Sequence, residues 1–306
     1  MRCSKLARII GALLLAAVLG GCSTVRLAYN NLPELSYWWL DGYVDFDDSQ
    51  SPRVREQLAQ LLAWHRREEL PRLIDLLQEA EAQASGDVTP EQACALADAL
   101  RLRLLAVAER AEAPSVEMAA SLSPAQLEHL AHKYAKVNAD YAQQWLSIGS
   151  AKQQEKRLRQ IRERYEDFYG TLDASQRELL RLQLAQSSFD PAAQDAERRL
   201  HQRQTLALLQ RVVSGELTPA EARPALHAYV LQFVEAAPGA QRERQQRLRQ
   251  EACATFAALH NQATPAQREQ ARQKLIGYEG DLRRLARPDM SRPSAAAQPG
   301  ALDAAR

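Results

Sequence analysis

The chain of 306 residues carries 39 Lys and Arg against 38 Asp and Glu, a formal net charge of +1, with 46% apolar and 25% charged residues. That is the profile of a globular protein with length for one large domain or two modest ones, and the near balance of charge speaks against nucleic-acid binding, which draws on a basic excess. Twelve glycines occur, three of them in the first 21 residues, with no GxGxxG or GxxxxGK string, which argues against dinucleotide folds and P-loop enzymes.

At the N-terminus Arg2, Lys5 and Arg8 surround the approach to an apolar run of eleven residues, Ile9 to Leu19. A bilayer-spanning helix takes about 20 such residues, so the run reads as the core of a signal peptide over residues 1–21. Leu19-Gly20-Gly21-Cys22 follows directly. Small residues before a cysteine at this point resemble the lipobox of bacterial lipoproteins. The resemblance implies cleavage before Cys22, acylation of its thiol and amine (a palmitate-type modification), and a lipid-anchored protein on the periplasmic face of a membrane. The alternative is an ordinary secretory leader with an incidental cysteine. Two or more acyl chains, at about 0.8 kcal/mol per buried methylene, make a stable anchor. Ser23 stands where an Asp retains many lipoproteins in the inner membrane, so the resemblance favours the outer membrane. Residues 22–33 are expected as a short tether; at about 3.4 Å per residue it spans at most roughly 40 Å and keeps the body near the bilayer.

Six of the 18 aromatic residues fall between positions 29 and 46: Tyr29, Tyr37, Trp38, Trp39, Tyr43 and Phe46. Tyr37, Trp38, Trp39 and Tyr43 admit two readings. One is an interfacial belt at the headgroup level; the other is a short amphipathic helix that spends its aromatics on packing. Cys22-Ser23, Tyr29-Asn30-Asn31-Leu32 and the string Trp38-Trp39-Leu40-Asp41-Gly42-Tyr43-Val44-Asp45-Phe46 resemble an uncharacterised proteobacterial lipoprotein family. The resemblance covers most of residues 22–285 and implies an envelope protein with no assigned activity.

A helix-start phrase then recurs. Asp47-Asp48-Ser49-Gln50, Thr89-Pro90-Glu91-Gln92, Ser123-Pro124-Ala125-Gln126, Asp173-Ala174-Ser175-Gln176, Thr218-Pro219-Ala220-Glu221 and Thr264-Pro265-Ala266-Gln267 are spaced 34 to 50 residues apart. Ser, Thr or Asp caps an orphan amide, Pro suits the first helical position, and Gln or Glu three residues on closes a capping box. The uneven spacing fits successive helices of unequal length rather than a solenoid. Stripes such as Leu127, Leu130, Tyr134, Val137, Tyr141 step by three and four, and no period-two run competes with them. The fold class expected is therefore all-α, an irregular multi-helix bundle with long helices and repeated capping boxes, in a single domain over 34–286. Pro71 and Pro224 are expected to kink or end their helices, and Gly149-Ser150 to break one running from 124 to 170. The Leu-x-x-x-Gln form of the phrase is similar to the Leu-Thr-x-x-Gln hallmark of CpxP/Spy-type periplasmic proteins. That similarity implies a chaperone-like, envelope-stress role as the alternative function.

Cys94 and Cys253 are the remaining mature cysteines. Export places them in an oxidising compartment, which favours a bridge over two separate buried thiols. His129 and His132 could share a metal at i, i+3, but no HExxH or CxxC string supplies further ligands, and surface histidines account for them. His65 with Glu68 and Glu69 is no stronger. No catalytic residue, metal site or cofactor is assigned, and an envelope hydrolase is the least supported reading, since no G-x-S-x-G string is present. The basic stretches Lys152–Arg164 and Arg242–Arg249 are interleaved with Gln and Glu and read as solvated helix faces rather than lipid-phosphate sites. The tail over 287–306, with little apolar material, reads as disordered. The function expected is a non-enzymatic binding or structural role in the envelope; its partners are the membrane, through the lipid, and an envelope protein.

Overall fold

The computed structural model describes the backbone of residues 21–234 and 238–287. Residues 1–20 of the segment expected as a signal peptide, and residues 288–306 of the expected disordered tail, lie outside the described residues. In chain order the elements are α1 (Gly21–Asn30), α2 (Leu32–Val44), α3 (Ser51–Trp64), a π turn (His65–Glu69), α4 (Leu70–Ala84), α5 (Pro90–Ala120), α6 (Pro124–Tyr141), a second π turn (Ala142–Leu146), α7 (Ser150–Tyr169), α8 (Ala174–Ala185), α9 (Pro191–Val213), α10 (Pro219–Val234), α11 (Ala240–Asn261) and α12 (Pro265–Ala286). The fold is an all-α multi-helix bundle, as the helix formers and stripes of period 3.6 dictate.

One local feature departs from the sequence reading, and the two prolines expected to kink or end their helices do not end them. Residues 22–33, expected as an extended tether, form α1 and the start of α2. Packing is the reason: Arg26 lies 3.6 Å from Asp281 of α12, the Tyr29 hydroxyl bonds His65 Nδ1 at 2.8 Å, and Arg66 donates to Asn30 at 2.9 Å. Ten helical residues span about 15 Å, well under half the roughly 40 Å expected of the extended segment. Pro71 does not end its helix. It lacks the N–H that the Arg67 carbonyl would accept, and the preceding turn widens so that the Leu70 N–H bonds the His65 carbonyl five residues back. The widened turn carries Glu69 inside, fully buried, where Arg72 and Arg103 hold it at 2.5 and 3.5 Å. Pro224 likewise sits inside α10 without ending it. At Gly149 the expected break occurs, preceded by the second π turn.

The capping boxes form as the chemistry requires. Thr89, Ser123, Asp173 and Thr264 each accept from the backbone N–H three residues on, and the matching Gln amide accepts from the cap N–H. Asp47 and Gln50 exchange the same two bonds, and this box and those of Ser123, Asp173 and Thr264 do more, because their glutamines meet in two pairs. Gln126 Nε2 donates to Gln50 Oε1 at 2.7 Å and to the Asp45 carbonyl at 2.8 Å, while Gln50 Nε2 donates to the Ser121 carbonyl at 2.7 Å. Gln176 Nε2 donates to Gln267 Oε1 at 2.8 Å and to the Gln262 carbonyl at 3.1 Å, while Gln267 Nε2 donates to the Thr171 carbonyl at 3.0 Å. In all four cases the carbonyl belongs to the residue five positions before the partner glutamine. Each pair thus has local two-fold symmetry, and the second pair repeats the first.

This repetition marks an internal duplication. Residues 43–62 (YVDFDDSQSPRVREQLAQLL) and 169–188 (YGTLDASQRELLRLQLAQSS) share Tyr, Asp, Ser, Gln, Arg and the run Gln-Leu-Ala-Gln at one constant offset. Helices α2, α3, α5 and α6 correspond to α7, α8, α11 and α12. The halves are interlocked: α4, from the first, lies along α12 of the second, and α9, from the second, lies along α6 of the first. Helices α5 and α11 meet between them. Small clusters supply the core, notably Leu172, Leu180 and Leu259 with Ile161 and Tyr165 against them.

Candidate functional site

The duplication creates two matching clefts. In the first half α2, α3, α5 and α6, joined by Thr205 and Leu209 of α9, line about 540 Å³; in the second, α7, α8 and α11 line about 430 Å³. Both fall in the size range of small-molecule sites, about 300–1,000 Å³. Trp39, Tyr43, Gln57, Leu58 and Ala111 line the first, and Tyr165, Tyr169, Gln183, Leu184 and Ala252 stand at the corresponding places in the second. The floors are apolar and aromatic in both, and burial pushes the Tyr165 phenol up to about 12.

The rims differ. The second cleft carries a polar edge: Arg157 donates to Ser187 Oγ at 2.9 Å, Ser187 Oγ donates to Glu251 at 2.5 Å, and the Ser188 N–H bonds the same carboxylate at 3.0 Å. The first opens beside Trp39 and Tyr43, in the aromatic segment singled out in the sequence. Thr205 also lines it and shares a hydrogen bond of 2.7 Å with Tyr229.

That aromatic segment divides. Tyr37 turns inward, with its hydroxyl 2.9 Å from Ser51 Oγ and the Arg55 guanidinium 3.6 Å from its ring centroid. Tyr43 is half-buried against Tyr134. Trp38 and Trp39 point outward, each 63% exposed. Leu32, Leu35, Trp38 and Trp39 fall within about a third of the circumference of α2 at 3.6 residues per turn, and Leu27 of α1 is exposed as well. Cys22 is the second described residue, at the start of α1.

Cys94 of α5 and Cys253 of α11 are joined by a disulfide with Cα atoms 5.4 Å apart. His129 and His132 are both exposed on α6, and no group of three or more His, Cys, Asp or Glu with the geometry of a metal site occurs among the described residues. His65 is occupied by Tyr29, and Glu69 by its arginines. No helix among the described residues is long and apolar enough to cross a membrane.

Beneath the second cleft, Tyr169 joins its floor to a buried histidine. His260 Nε2 lies 2.9 Å from the Gly86 carbonyl oxygen, which can only accept. Nε2 therefore carries the proton and Nδ1 accepts from the Tyr169 hydroxyl at 2.8 Å. Burial lowers the His260 pKa below 6.5, with the Gly86 contact opposing and Arg268 assisting; burial lowers that of His65 as well. A depressed histidine pKa means that the unfolded state takes up the proton first. The stabilisation is full above pH 6.5 and is lost as pH falls from there toward the folded-state pKa. Denaturant titrations between pH 7.5 and 5.5 are expected to show stability falling below pH 6.5, with at most about 1.4 kcal/mol per pH unit from each histidine. His260→Gln is expected to flatten that slope, and an unchanged slope would refute the role.

The capping boxes were legible as helix starts, but their pairing and the two clefts were not read from the sequence. The signal that carries them is the repeated Gln-Leu-Ala-Gln at 57–60 and 183–186, each following a Tyr and a Gln at equal spacing. No curated protein and no solved structure matches the chain. A family model described as a family of unknown function (DUF6279) matches residues 42–219, from the helix end before the first glutamine pair to the start of α10, and the chain belongs to that family.

Proposed function

We propose that this is a lipid-anchored, periplasm-facing envelope protein, held by acylated Cys22 in the outer membrane, with a non-enzymatic binding role served by its twin apolar clefts. The observation that carries the reading is the exposed face of Leu27, Leu32, Leu35, Trp38 and Trp39, which begins five residues after Cys22. An apolar stripe with two outward tryptophans suits the headgroup region, where an indole buries its ring and keeps its N–H wet. The lipid supplies the anchor, and this face sets the body against the surface with the mouth of the first cleft, marked by Trp39, toward it.

A non-acylated chain beginning at residue 22 tests the reading. On phospholipid vesicles its tryptophan emission is expected to shift to the blue. Trp38→Ala with Trp39→Ala is expected to weaken partition roughly a hundredfold, the equivalent of about 3 kcal/mol of lost apolar burial. Its thermal midpoint should hold, since both side chains lie outside the core. Absence of any shift in the unsubstituted chain would remove the membrane-facing assignment.

A further inference from the structure

A third cavity lies apart from the twin clefts, between α1, α4, α5 and α12. It measures about 330 Å³, and its lining includes Val25, Leu76, Leu96, Leu100, Leu275 and Tyr278. No charged side chain contributes to it, and the Tyr278 phenol is its one side-chain polar group. Such a lining offers a polar ligand almost nothing to bond and suits hydrocarbon. Neither of the other clefts is lined by a residue of α1. Leu100 and Tyr278 are 43% and 39% exposed, so the cavity opens to the surface.

Its position identifies the occupant. Val25 is three residues after Cys22 in the same helix, which places Cys22 one turn away on the same side of α1. The Arg26–Asp281 ion pair ties that turn to α12, one of the cavity walls. We propose that this cavity receives one of the acyl chains carried by Cys22. The inference rests on the lipoprotein reading above and deepens it: the anchor has two resting places, the bilayer and the protein's own interior. With one chain withdrawn, fewer chains hold the bilayer, and the hold weakens with every methylene that leaves it.

The acylated full chain, purified from membranes and placed in phospholipid nanodiscs, provides the test. The mass of its N-terminal peptide is measured first; an unmodified Cys22 would end the lipoprotein reading and this inference together. With acylation present, p-benzoylphenylalanine at position 278 is activated by light and the digested peptides are weighed. The expected product joins the peptide containing position 278 to the Cys22 lipopeptide. Cross-links to nanodisc phospholipid alone would overturn the inference and leave the anchor intact. Ala80→Phe, which fills the cavity from α4, is expected to abolish the intramolecular product. Leu100→Glu, at an exposed position, is expected to reduce it at least tenfold. Persistence of the product in both variants would also overturn the inference.

Discussion

Gln176→Ala is expected to lower the free energy of unfolding by about 3 kcal/mol, more than the loss of a helix cap alone would cost. Gln176 is 1% exposed. Its carbonyl accepts from the Asp173 and Gln267 nitrogens, and its amide donates to the Gln262 carbonyl and to Gln267 Oε1. Truncation strands the Gln262 carbonyl and half of the Gln267 amide in a space closed to water, and each buried unsatisfied group costs about 1–3 kcal/mol. Gln92 sits in a capping box with the same local bonds but is exposed and has no glutamine opposite it. Gln92→Ala should therefore cost no more than about 1 kcal/mol, the usual value of a cap. Equilibrium denaturation of the two variants checks the contrast. Equal losses would mean that the pairing adds nothing to capping.

The second large effect is expected at the bridge. Cys94 and Cys253 are 159 residues apart in sequence, and closing a loop of that length removes denatured-state entropy worth up to about 5 kcal/mol in the chain-entropy model. Cys94→Ser with Cys253→Ser is expected to lose about 2–5 kcal/mol in guanidinium titrations. The denaturant slope should rise, since the released unfolded chain exposes more surface. The bridge also joins α5 to α11, the two helices at which the halves meet, so its removal acts where the interlocked parts separate. Equal midpoints for the oxidised protein and the double variant would contradict this account.

What could be read from the chain and what could not follows from the range of the forces involved. Each capping box is closed within four residues, so Thr89-Pro90-Glu91-Gln92 announces its helix without reference to anything else. The pairing of Gln50 with Gln126 needs 76 residues of chain to return to one point, and no local rule encodes that return. The inward turn of Tyr37 and the outward turn of Trp38 and Trp39 depend on α3 and its Arg55 lying on one side only, a fact of packing. The tether reading failed for a similar reason: α1 is helical where Arg26 and Tyr29 find partners far along the chain. The widened turn at His65–Glu69 is an adjustment to Pro71 that composition signals only as a disturbance. The duplication was legible in principle. Its trace, Gln-Leu-Ala-Gln twice, is short and lies among other Gln- and Leu-rich helices, and its meaning emerges once both copies are seen doing the same work.

The exchange of helices between the halves governs the order in which the molecule can be made. Helix α4 settles on α12, with the Gln78 to Glu279 hydrogen bond linking residues 201 apart. Contacts of such separation slow folding. The first half, though finished early in synthesis, waits for the last helix before its own wall is complete. A polypeptide threaded N-terminus first through a narrow channel would thus stay pliable for most of its passage and lock only at the end.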